Sequence, residues 1–132
     1  MKLKTLFITN AIIILPSGLG FLVAPAYFLA VSGISLGSGG AYMVQLLGVA
    51  YVAISALCWL VRDAEESSAL RAIIASSFLH TALGSAIAVY AQASGVVNNY
   101  GWITVVLYAG LAISYGYFLF VEPMKRRQAS AR

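Results

Sequence analysis

The chain has 132 residues and a net charge of +4, with 61% hydrophobic and 9% charged residues. Soluble domains average about half apolar and a quarter charged, so composition excludes an ordinary soluble globular domain and makes a lipid bilayer the expected solvent and first partner. The lysines and arginines lie at the ends of apolar runs rather than on a basic face interleaved with aromatics, so no nucleic acid is expected as a partner.

The pattern predicts an all-α membrane protein, a four-transmembrane-helix bundle forming a single domain over residues 1–132. Helices are expected over about 6–24, 42–61, 69–91 and 101–121, with a short interfacial helix after the first. A run of about 20 residues at a rise of about 1.5 Å each crosses an apolar core of roughly 30 Å. The opening Met1-Lys2-Leu3-Lys4 followed by an apolar run has the outline of a signal peptide, but Ala24-Pro25-Ala26 is a poor cleavage site and the run is long. It reads as the first membrane helix. Pro16 removes a backbone donor from that helix and frees the carbonyl of Ile12, predicting a kink around Pro16, Ser17 and Gly18, while Asn10 reads as polar glue between helices.

Pro25 suits the first position of a short element reaching about Val31, too short to span. Residues 32–40, rich in glycine and serine and free of charge, read as a loop. They lack the lysine and following helix that a phosphate loop needs. The loop 62–68 carries Arg62, Asp63, Glu65 and Glu66, with Ser67 or Ser68 as helix cap. Its carboxylates read as solvated loop charges rather than a general acid and base. Residues 92–100 form a polar uncharged connection. Glu122-Pro123 closes the last helix, and Lys125, Arg126, Arg127 and Arg132 form a basic tail.

If the chain crosses four times, every lysine and arginine falls on one side, and the loops 32–40 and 92–100 hold none. The positive-inside rule then places both termini in the cytoplasm of a multi-pass protein, with a bacterial inner membrane as the expected location. Tyr27, Tyr42, Tyr90, Tyr100 and Trp102 fall at the outer boundary, and Phe7, Trp59, Tyr117, Phe118 and Phe120 near the inner one.

The third helix carries small residues at four-residue spacing, Ala72, Ser76, Gly84 and Ala88, around His80, the single histidine. Ser17, Tyr51, His80 and Thr81 fall near the midplane as a sparse polar layer, with Ser76 one turn from His80 and Gln45 nearer the outer surface. These six are the candidate ligand-binding residues. The structural reading makes His80 a neutral imidazole bonded across helices to a serine, a tyrosine or the carbonyl loosened by Pro16. A second reading makes it the axial ligand of a tetrapyrrole, with Ser76 and Gly84 as the gaps that let a flat macrocycle approach. A third is proton-coupled transport of a small molecule, although no acidic residue lies in the spans to partner His80. Zinc catalysis needs about three protein ligands, and a lone histidine does not supply them. Cys58, the single cysteine, excludes an intrachain disulfide or a thiol pair.

Val23-Ala24-Pro25, the segments Leu46-Leu47-Gly48-Val49-Ala50 and Cys58-Trp59-Leu60-Val61-Arg62, and Gly95-Val96-Val97-Asn98 with Gly101-Trp102 together give a resemblance. They resemble a broad group of small bacterial four-helix membrane proteins of the kind grouped as domains of unknown function similar to DUF4345. The resemblance implies fold and topology and carries no activity. The expected function is therefore a non-enzymatic membrane component: an accessory subunit of a membrane complex, or a binder of a hydrophobic ligand between helices. No catalytic residue, metal or cofactor is expected. Close-packing pairs such as Gly20 with Ala24 and Gly110 with Ser114 point to a tight bundle and to a homo-oligomer or a membrane-protein partner.

Overall fold

A computed structural model describes residues 2–123; the basic tail Lys125, Arg126, Arg127 and Arg132 lies outside them. The described chain is helical: α1 (Leu3–Val23), α2 (Pro25–Ala30), α3 (Ser38–Val61), α4 (Ser68–Ala93) and α5 (Gly101–Gly116), the last continued by a π-helical turn at Tyr117–Val121. Among the described residues there is no strand. Four stretches, α1, α3, α4 and α5 with its π turn, are long and apolar enough to cross a membrane, with mean hydropathy of 2.1, 2.1, 1.7 and 1.8.

Their boundaries follow from local chemistry. Pro25 opens α2 at its first turn, where its missing N–H costs nothing. The side chain of Ser67 accepts from the Leu70 amide at 3.1 Å and caps α4 as expected. Gly95 (φ +67°) ends α4 in a Schellman cap, with Val96 N–H donating to the Ala91 carbonyl at 3.0 Å and Gly95 N–H to Gln92 at 3.2 Å. Gly33 (φ +80°) repeats the motif after α2, through Ile34 N–H to Leu29 and Gly33 N–H to Ala30.

Two boundaries differ from expectation. α3 begins at Ser38, inside the stretch that reads as loop, because the amide of Ala41 finds the Gly37 carbonyl at 2.9 Å and a glycine pair tolerates the first turn of a helix otherwise rich in good formers. The final helix widens to a π turn that turns Phe118 into the core, and helical backbone continues through Glu122 and Pro123. α1 is unbroken through Pro16. The cross-helix bond nearest it runs from the Ser55 hydroxyl to the Ala11 carbonyl at 2.9 Å, one residue before the carbonyl that Pro16 frees.

α1 packs chiefly on α3, and α4 on α5, while α3 and α4 scarcely touch each other. The α1–α3 crossing is set by glycine: a Cβ on Gly48 would stand 2.8 Å from the Gly18 carbonyl oxygen and 2.9 Å from the Leu22 amide. The two pairs are joined through a core of Leu6, Phe7, Ala11, Cys58, Leu70, Ile74, Leu111, Tyr115 and Phe118. Phe7 and Phe118, expected near the inner boundary, are core residues rather than belt residues, whereas Tyr27, Tyr42, Tyr90, Tyr100 and Trp102 are exposed.

The antiparallel order gathers every described charged residue at one end. There Lys4 pairs with Asp63 at 2.6 Å and Arg62 with Asp63 at 3.3 Å. The hydrogen bond from Lys4 holds the Asp63 carboxyl below the usual carboxylate range. The pair is exposed, so it marks the end of the bundle more than it stabilises it. At the opposite end, Asn98 ties the two uncharged loops together, donating from Nδ2 to the Val31 carbonyl at 2.8 Å and from its amide to Ser32 at 3.0 Å.

Candidate functional site

Because α3 and α4 make few contacts with each other, a groove runs between them. Its half toward the charged end is a cavity of about 270 Å³ lined by Ile54, Leu57 and Cys58 of α3, by Ala72, Ile73, Ser76, Ser77 and His80 of α4, and by Asn10 of α1 behind them. The other half, about 550 Å³, includes Leu47 and Tyr51 of α3 and Leu83, Gly84, Ile87, Ala88 and Ala91 of α4. His80 lines both halves and marks the waist.

At the waist the His80 ring meets two tyrosines. It stands edge-on to Tyr51 at 6.2 Å between centroids and tilted to Tyr108 at 5.8 Å. The two tyrosine hydroxyls are hydrogen-bonded to each other, joining α3 to α5 across the bundle. Tyr108 lies over Gly84, where a Cβ would overlap its ring. The gap at Gly84 that a macrocycle would need is therefore occupied by the chain's own Tyr108. Nε2 of His80 is buried and has no hydrogen-bond partner among the described residues. Imidazole edges against aromatic rings satisfy packing but leave that nitrogen unmet, and an unmet buried polar atom is costly.

Toward the charged end, Asn10 is 1% exposed and Tyr115 is 0% exposed. Asn10 Nδ2 donates to the Tyr115 hydroxyl at 2.6 Å and to Cys58 Sγ at 3.4 Å, and Sγ lies 3.9 Å from that hydroxyl. Asn10 Oδ1 is buried and unpartnered. Its amide is thus half used, fastening α1 to α3 and α5 while leaving one buried polar atom unmatched in a residue that lines the groove.

The six residues singled out in the sequence separate into three places. His80, Ser76 and Tyr51 line the α3–α4 groove. Ser17 and Thr81 lie instead on a smaller space of about 150 Å³ that also touches Tyr51 and Tyr108 and is closed by α1, α2 and α5. Thr81 is buried, and its hydroxyl is spent on its own helix, at 2.8 Å from the Ser77 carbonyl and 3.1 Å from that of Phe78. Gln45 belongs to neither: its Nε2 donates to the Leu22 carbonyl at 3.2 Å, closing the end of α1 on α3.

Sequence reasoning passed over Tyr108 and Tyr115 and took Asn10 only as glue. A tyrosine inside an apolar helix gives no sign of whether its hydroxyl turns inward. The one usable signal is that such a hydroxyl needs a partner when it lies away from water. Among the described residues, no three His, Cys, Asp or Glu side chains converge on a metal position. No family model, curated protein or solved structure matches the chain.

Proposed function

We propose that this protein is a non-enzymatic, multi-pass membrane component that holds a hydrophobic ligand in the groove between α3 and α4. The observation that carries the reading is the groove itself: α3 and α4 make few contacts with each other, and at the waist between them a buried histidine nitrogen lacks a partner among the described residues. Bundles bind ligands between helices where facing side chains leave room and a few polar groups fix orientation. The bilayer would deliver such a ligand sideways, without passage through water.

Insertion is supported by the four apolar helices and by the exposure of large apolar residues around the outside, among them Ile12, Leu60, Val106 and Ile113. A bacterial inner-membrane location with both termini in the cytoplasm rests on the sequence resemblance and on the one-sided distribution of lysine and arginine. Association with a second copy or a membrane partner is a further part of this reading. It is supported by the open face at Gly110, where a Cβ would meet no described residue within 4 Å.

Native mass spectrometry of protein purified in mild detergent tests the groove. The expected spectrum carries an apolar adduct whose occupancy falls about tenfold in Leu83→Trp, which fills the half of the groove away from the charged end. A bare protein mass, or an adduct indifferent to that substitution, overturns the reading.

A further inference from the structure

We infer that the ligand is an uncharged lipid with a hydroxyl-bearing head and a long apolar tail, its head beside Asn10 and His80 and its tail directed away from the charged end. This rests on the groove being a lipid site, and it follows from what each half of the groove lacks.

The half toward the charged end is lined by the polar side chains of Asn10, Cys58, Ser76, Ser77 and His80. Two of these carry buried polar atoms without a partner, Asn10 Oδ1 and His80 Nε2. The half beyond His80 is lined by aliphatic residues such as Leu47, Leu83 and Ile87 together with Ser32, Thr104, Tyr51 and Tyr108, and none of these four polar side chains carries a buried atom without a partner among the described residues. A ligand that answers both halves is polar at one end and apolar at the other. Among the described residues no lysine, arginine, aspartate or glutamate lines either half, so none of them offsets the charge of a phosphate or ammonium head taken out of water.

Donor and acceptor chemistry narrows the head further. With Nδ2 given to Tyr115 and Cys58, the open atom of Asn10 is a carbonyl oxygen, which needs a donor. With the amide turned over, the open atom would be an NH2, which needs an acceptor. His80 Nε2 is likewise a donor in one tautomer and an acceptor in the other. A hydroxyl can donate or accept, so a head with two hydroxyls, one for each atom, meets every combination. An ester, ether or carboxylate only accepts, and leaves Asn10 Oδ1 unmet.

Three oleoyl lipids separate the alternatives by native mass spectrometry of the full chain in detergent: monoolein, with a hydroxylated neutral head; methyl oleate, with the same tail and no donor; and oleoyl lysophosphatidylcholine, with a charged head. Monoolein is expected to bind about tenfold more tightly than either of the others, as one unmet buried hydrogen bond implies. The preference over methyl oleate should shrink to about threefold or less in Asn10→Leu and in His80→Phe. The second variant leaves the Asn10–Tyr115–Cys58 contacts intact and serves if the first does not fold. Equal binding of monoolein and methyl oleate, or tighter binding of the lysophospholipid, overturns the hydroxylated neutral head while the groove still holds lipid. A monoolein preference unchanged in the foldable variants overturns the placement of the head. Binding of none of the three, or binding indifferent to Leu83→Trp, counts instead against the groove as a lipid site.

Discussion

Asn10 does two jobs that pull in different directions. Its NH2 group serves the Tyr115 hydroxyl and the Cys58 sulfur, a contact among residues almost without exposure, while its carbonyl oxygen goes unserved. Hydrogen bonds between membrane helices contribute on average about 0.6 kcal/mol and at most about 1.7 kcal/mol, because the unfolded chain in lipid finds other partners. The Asn10–Tyr115 bond, at 2.6 Å with both groups buried, belongs at the upper end of that range. A double-mutant cycle of Asn10→Ala and Tyr115→Phe, read by reversible unfolding in mixed micelles, should give a coupling of about 1 kcal/mol. Effects that add to within about 0.5 kcal/mol would mean that the pair contributes only packing. The unpaired carbonyl is different in kind: it makes no hydrogen bond among the described residues, and under the proposed function it is the atom that a ligand hydroxyl would meet.

At the scale of elements, the α1–α3 crossing depends on Gly48, since a side chain there would press on the Gly18 and Leu22 backbone rather than on a flexible side chain. Gly48→Val should part the two helices, weaken the Ser55 bond to the Ala11 carbonyl and lower stability by about 1–3 kcal/mol, visible as a drop in the thermal midpoint. Gly110→Val, where a Cβ meets no described residue, should leave the monomer's midpoint unchanged, and an equal loss at both positions would defeat the close-crossing argument. Such elements were largely legible in the sequence: run length gave the four spans, and Ser67 as cap and Pro25 as helix opener follow from chemistry local to a few residues. The pairing of α1 with α3 and α4 with α5 was not. In a soluble helix the buried face is the apolar one, but here Ile12 at 62% and Leu60 at 76% exposure are as apolar as buried Leu6 and Leu70, so periodicity does not mark the inward face. His80, Ser76 and Tyr51 could be named from polarity and depth alone. Tyr108, which completes the waist, could not, because its role depends on which face of α5 meets Gly84.

For the molecule as a whole, charge and groove give the same axis. The end that carries Lys2, Lys4, Arg62 and Arg71 is also the end toward which the polar half of the groove lies, and the far end has only uncharged loops closed by Asn98. Lysine and arginine resist translocation far more than aspartate and glutamate do, so the acidic residues at the same end do not cancel the bias. The charged end is thus expected to face the cytoplasm, which would put the head of the proposed lipid toward the inner leaflet and its tail toward the outer. Ser35 and Glu65 are exposed at opposite ends, and Cys58 is buried, so single added cysteines report orientation over a low background. In spheroplasts treated with a membrane-impermeant maleimide, Ser35→Cys should label at once and Glu65→Cys only after lysis. The reverse pattern would invert the orientation, and with it the leaflet from which the head enters. Labelling of both sites before lysis would mean that the chain does not hold a single topology, and the positive-inside argument would fall for this protein.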